Sequence, residues 1–101
     1  MIFVLAAISL TSVSFAEEWF RVEASVRPVQ VVVFVHVKND FSGDITCRGL
    51  IEGKLSGSGT ILRRYFENLN IKQGEGQSVQ LLSREMIPFN SAFAEVECKL
   101  I

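Results

Sequence analysis

The sequence predicts an all-β protein: an antiparallel sandwich of six to seven short strands closed by one disulfide. Three observations lead there. Several segments alternate apolar and polar residues with a period of two, and none sustains a helical period. Clusters of turn residues separate these segments at near-regular spacing. Cys47 and Cys98 are the only cysteines, and both fall on the apolar side of their segments.

The first element is expected over residues 17–27. Phe20, Val22, Ala24 and Val26 alternate there with Trp19, Arg21, Glu23, Ser25 and Arg27. That outer side is polar enough for an edge or near-edge strand, and Pro28, which has no N–H, ends or interrupts it. Residues 29–37 form the densest β-branched run of the chain. Such a run packs on a pleated surface and makes a poor helix. Its odd positions are all valine, whereas the even ones read Gln30, Val32, Phe34, His36. This is the expected central strand, with Phe34 assigned to the core.

Residues 39–44 reverse the chain into a third strand over 45–55. Its inner face reads Ile45, Cys47, Gly49, Ile51, Gly53, Leu55. Two glycines on an apolar face leave room for a large side chain from the opposite layer, such as an aromatic, or mark bulges. Ser56-Gly57-Ser58-Gly59 is a turn. A fourth strand is expected over 60–67, where either Ile61 and Tyr65 or Leu62 and Phe66 face inward. The Arg63-Arg64 doublet interrupts both patterns, and a bulge there would reconcile them. A fifth strand over 78–83 sets Val79 and Leu81 against Gln80 and Leu82. The last, over 91–101, sets Ala92, Ala94, Val96, Cys98 and Leu100 against Phe93, Glu95, Glu97 and Lys99.

One further likeness rests on particular residues. Val35-His36-Val37-Lys38-Asn39, a polar turn, residues 45–59 with Gly53 and Gly59, and Ile71-Lys72-Gln73-Gly74-Glu75 before an alternating strand together resemble the immunoglobulin-like domains of the FxLYD type. These place an I-x-x-G-E turn before a late strand. The resemblance spans about residues 29–83 and implies an immunoglobulin-like sandwich without implying an activity. The aromatic-x-Leu-Tyr-Asp signature is absent. Trp19 precedes both cysteines and Val96 stands two residues before Cys98, so the antibody-domain pattern is absent as well.

The first 16 residues carry no charged side chain and end Ser14-Phe15-Ala16. This fits a secretory signal peptide cleaved before Glu17, leaving residues 17–101 as one domain in a secreted or periplasmic setting. In that setting two cysteines are expected to pair. Closing a loop of about 50 residues contributes roughly 4 kcal/mol in the chain-entropy model. Ten basic and 11 acidic side chains give a net charge of −1, which offers no attraction for nucleic acid. Apolar residues at 49%, with only two prolines, exclude a disordered chain.

No reactive constellation is legible. His36 is the only histidine, too little for a zinc site with two distant cysteines, and there is no nucleophile elbow. No metal or cofactor is expected. Glu95 and Glu97 lie on one side of a strand about 7 Å apart, a spacing a glycosidase or a calcium site uses, but Lys99 beside them reads as a solvated row. The leading expectation is a non-enzymatic exported module acting through protein or surface contacts. The alternatives are a small carbohydrate-active hydrolase using Glu95 and Glu97, and a structural subunit assembling by strand addition. The candidate contact surface is Arg63, Arg64 and Tyr65, where arginines adjoin an aromatic; the outer face around Val32 and Phe34 is the other surface considered.

Overall fold

The computed structural model describes residues 18–101, so the expected leader over 1–16 lies outside the described residues. Seven strands form: β1 (Phe20–Val22), β2 (Ser25–Val29), β3 (Val32–Lys38), β4 (Ile45–Leu55), β5 (Ile61–Ile71), β6 (Gly76–Leu82) and β7 (Phe89–Leu100). They make two antiparallel sheets, a four-stranded one ordered β1-β7-β4-β5 and a three-stranded one ordered β2-β3-β6. The expected all-β sandwich with a Cys47–Cys98 disulfide is the observed architecture.

The core lies between the sheets. Val33, Val35 and Val37 of β3 and Val79 and Leu81 of β6 meet Ile45, Ile51, Leu55, Ile71, Phe89 and Val96 of the other layer. β3, β4 and β6 bury alternate residues, which is why the period-two pattern located their inner faces. Every inner position read from β4 is buried except Gly49, which is half-buried.

Several details depart from the sequence expectation. The first element is two strands, not one. The chain leaves the four-stranded sheet at Glu23-Ala24 and joins the other, so β1 pairs with β7 and β2 with β3. Pro28 lies inside β2, which tolerates it because, among the described residues, β2 has a partner on one side only. The valine run contains a two-residue hairpin turn: Val29 pairs with Val32, and Gln30 takes a left-handed φ of 58°. No glycine or asparagine marks that turn, so β-branched composition concealed it. Phe34 is outside the core, half-buried on the outer face of the three-stranded sheet between Arg27 and Gln80.

The bulge expected at Arg63-Arg64 sits instead at Glu67-Asn68. There two residues of β5 oppose Arg48 alone, and Asn68 has a φ of 60°. Before the bulge Leu62, Arg64 and Phe66 face inward; after it Leu69 and Ile71 do. Both inner-face glycines do admit aromatics. A Cβ at Gly49 would lie 2.9 Å from the Phe66 ring, and one at Gly53 only 2.5 Å from the Phe89 ring. The rings come from neighbouring strands of the same sheet, not from the opposite layer.

At one end of the sandwich, wholly buried Asn39 ties three segments together. Its Nδ2 donates to the carbonyls of Gly43 (2.8 Å) and Ile71 (3.0 Å), and its Oδ1 accepts from the Phe41 amide (2.9 Å). Its main chain bonds to Glu75 and Gly74, so the 39–44 and 72–75 turns are held to each other.

Candidate contact face

The outer face of the four-stranded sheet is built from rows of facing side chains. Alternation sends Arg21 of β1, Phe93, Glu95 and Glu97 of β7, Arg48, Leu50 and Glu52 of β4, and Arg63 and Tyr65 of β5 to that side. Register then sets Arg21 and Arg48 on either side of Glu97, Leu50 between Glu95 and Tyr65, and Glu52 between Phe93 and Arg63.

The charges on this face are matched in pairs. Arg48 Nε donates to Glu97 Oε1 at 2.7 Å, Arg63 Nε to Glu52 Oε2 at 2.6 Å, and Arg21 approaches Glu95 at 3.4 Å. The Arg48 guanidinium also lies 3.7 Å over the Trp19 ring, with the Lys99 ammonium 5.0 Å from the same ring. Solvent-exposed pairs of this kind contribute little to stability, with a median of about 0–1 kcal/mol. Their larger effect here is to hold long side chains flat against the sheet. Between them the apolar surface stays open: Tyr65 is 74% exposed and Phe93 49%. A depression of about 540 Å³ lies over Leu50, rimmed by Arg21, Arg48, Tyr65, Glu95 and Glu97.

The three residues read from the sequence as one contact surface are divided by the strand. Arg63 and Tyr65 share the outer face. Arg64 points the other way, and its guanidinium donates to the Gln80 carbonyl of β6 across the open side of the sandwich. Adjacent residues of a strand face opposite sides, so the doublet could not act as one patch. Trp19 and Phe93 complete the face. The sequence offered a signal for Phe93, its outward position among Glu95, Glu97 and Lys99, but no signal that Trp19 stacks on Arg48.

Glu95 and Glu97 lie on this face, each about half exposed and each with an arginine partner. A glycosidase pair relies on two carboxyls in contrasting environments; these two share one environment. His36 is exposed on the other sheet, with Nδ1 3.0 Å from Ser78 Oγ. Among the described residues no group of three or more His, Cys, Asp or Glu is placed to hold a metal ion, and no helix is long and apolar enough to cross a membrane. The three-stranded sheet also shows apolar side chains outward. Val29 and Leu82 are 43% and 57% exposed and flank Val32 in one row, next to the row of Arg27, Phe34 and Gln80.

No family model, curated protein or solved structure matches the chain.

Proposed function

We propose that the protein is a non-enzymatic, exported module that binds a protein partner through the outer face of its four-stranded sheet. One observation carries the reading: Tyr65 and Phe93 stand exposed on a flat sheet whose arginines and glutamates are already paired with one another. Tyrosine, phenylalanine, tryptophan and arginine are the side chains enriched in protein interfaces. Each brings a large contact area, and the internal ion pairs leave no large net charge to desolvate. Export to a secreted or periplasmic setting is supported by the uncharged leader-like residues 1–16 and by the disulfide.

The test compares capture of partners from the native compartment by the parent and by Tyr65→Ala, Phe93→Ala and their combination. Both side chains are exposed, so melting temperatures are expected to stay within a few degrees of the parent while capture falls at least tenfold, as for a contact hot spot. Phe34→Ala, on the opposite sheet, is the control and leaves capture intact. Undiminished capture by the combined variant, with Phe34→Ala abolishing it, would move the contact surface to the three-stranded sheet.

A further inference from the structure

The four strands at the sheet margins are unequally protected. β1 has three residues, and β2 has five with Pro28 among them. On β6 the Gln80 carbonyl is occupied by the Arg64 guanidinium. Short length, proline and charged side chains at the margin all blunt an edge against pairing with another chain. β5 is different. It too carries charged side chains, Arg63, Arg64 and Glu67, but it runs for 11 residues, has a partner on one side only among the described residues, and pairs regularly from Ile61 to Phe66 before the bulge at Glu67-Asn68.

The backbone groups left free on β5 follow from the ladder. The Leu55 amide donates to the Thr60 carbonyl at 2.8 Å, so Leu55 and, in step, Gly53, Ile51 and Gly49 turn their backbone toward β5. Their partners Leu62, Arg64 and Phe66 are thereby satisfied. The amides and carbonyls of Ile61, Arg63, Tyr65 and Glu67 point away from the sheet.

We propose that a second copy of this chain pairs with this edge, β5 against β5 in antiparallel fashion, about a two-fold axis through Tyr65. The inference goes beyond the contact face and does not depend on what that face binds. Opposed residues in an antiparallel pair share a face, so a symmetric centre must fall on a residue. Centring on Arg63 or Arg64 sets that arginine against its own copy. Centring on Phe66 sets Arg63 against Leu69 and Tyr65 against Glu67. Centring on Tyr65 sets Arg63 against Glu67 twice, Arg64 against Phe66, and Tyr65 against its own copy. Only this last register brings a second carboxylate to Arg63, which is paired with Glu52 in its own chain, and leaves no like charges opposed. Glu67 suits the role: it is exposed and makes no ion pair with another described residue. The ladder would close about six backbone hydrogen bonds and join two four-stranded sheets into one continuous sheet.

The experiment uses the full chain with the Cys47–Cys98 bond intact. Sedimentation and light scattering are expected to show a concentration-dependent monomer–dimer equilibrium. Glu67→Arg and Arg63→Glu are each expected to weaken it by about tenfold or more, because both symmetric pairs become like-charged; Arg63→Glu combined with Glu67→Arg restores it. Under oxidation Tyr65→Cys cross-links to its own copy at the two-fold axis, whereas Phe93→Cys does not. Phe93→Ala, which leaves the edge untouched, dimerises like the parent whatever it does to partner capture. A monomer at every concentration up to the millimolar range overturns the proposal. So does a dimer that ignores both charge reversals and is not cross-linked through Tyr65→Cys.

Discussion

Replacing Asn39 tests how this small sandwich closes its end. The side chain is wholly buried and makes three hydrogen bonds, two donated to the Gly43 and Ile71 carbonyls and one accepted from the Phe41 amide. Asn39→Ala removes all three and leaves the Ile71 carbonyl buried without that donor. At roughly 1 kcal/mol for each of the three bonds, the expected cost is about 3 kcal/mol. For a domain of this size that lowers Tm by about 15 °C. Asn39→Asp turns a carboxyl oxygen toward the two carbonyl oxygens, so burial and repulsion raise the folded-state pKa of the introduced carboxyl above its unfolded value of about 3.9. Below pH of about 4 the group is neutral in both states. As pH rises above that, only the unfolded chain ionises, and stability falls until the folded pKa is reached. Urea unfolding followed by Trp19 fluorescence at pH 4 and pH 7 measures both variants. The offset of Asn39→Asp from the parent should grow between the two pH values, while that of Asn39→Ala stays constant. A loss below about 1 kcal/mol for Asn39→Ala, or a pH-independent offset for Asn39→Asp, would refute the reasoning.

Two other predictions concern the core and the chain's start. Gly53→Ala places a methyl 2.5 Å from the Phe89 ring and 3.2 Å from Val33 Cγ2, an overpacking expected to cost about 1–3 kcal/mol in denaturant unfolding; adding Phe89→Leu should recover part of that loss, and no recovery would point to backbone rather than ring crowding. Intact mass of the exported species should correspond to a chain beginning at Glu17 and lacking two hydrogens for the Cys47–Cys98 bond, and finding Met1 in that species would remove the leader reading.

The parts of the fold that the sequence shows are those carried by alternation. In β4 the pattern from Ile45 to Leu55 matches burial at every inner position but Gly49, because both faces of a central strand have fixed environments. Where the chain changes sheet or turns without a marker residue, alternation carries no information. Glu23-Ala24 preserves the inner-face pattern while switching partners, and Gln30-Val31 turns inside a valine run. Within 60–67 the register was ambiguous because Arg64 shares the parity of Leu62 and Phe66 yet is exposed and reaches the Gln80 carbonyl; the bulge at Glu67-Asn68 then moves Leu69 and Ile71 to the other parity. The contact face was half legible. Strand parity separates Arg63 and Tyr65 from Arg64, and that much could be read once the register was known. The pairing of Arg21, Arg48 and Arg63 with Glu95, Glu97 and Glu52 depends on which strands are neighbours, and that is set by the sandwich topology.

Topology also changes what the disulfide does. Cys47 and Cys98 stand opposite each other on neighbouring strands, with Cα atoms 4.0 Å apart, so the bond lies within one sheet and does not staple the two layers together. The layers are held by the valines of β3 against Ile45, Ile51 and Val96, and β4 and β7 pair along almost their whole lengths without help from the bond. Its contribution therefore comes mainly through the unfolded chain, where closing the 51-residue separation in advance contributes about 4 kcal/mol. Folding must bring these two distant strands together early, since they form the middle of the larger sheet. Replacing both cysteines by alanine should then slow folding by roughly a thousandfold and change the unfolding rate by less than about tenfold. Stopped-flow chevrons in urea measure both limbs. The folded, unbridged protein should still present Arg48, Leu50, Phe93 and Tyr65 in the same rows, so partner capture per folded molecule is expected to be unchanged. If the loss appears instead in the unfolding rate, the bond is holding the native sheet together, and β4–β7 pairing is not established at the folding barrier.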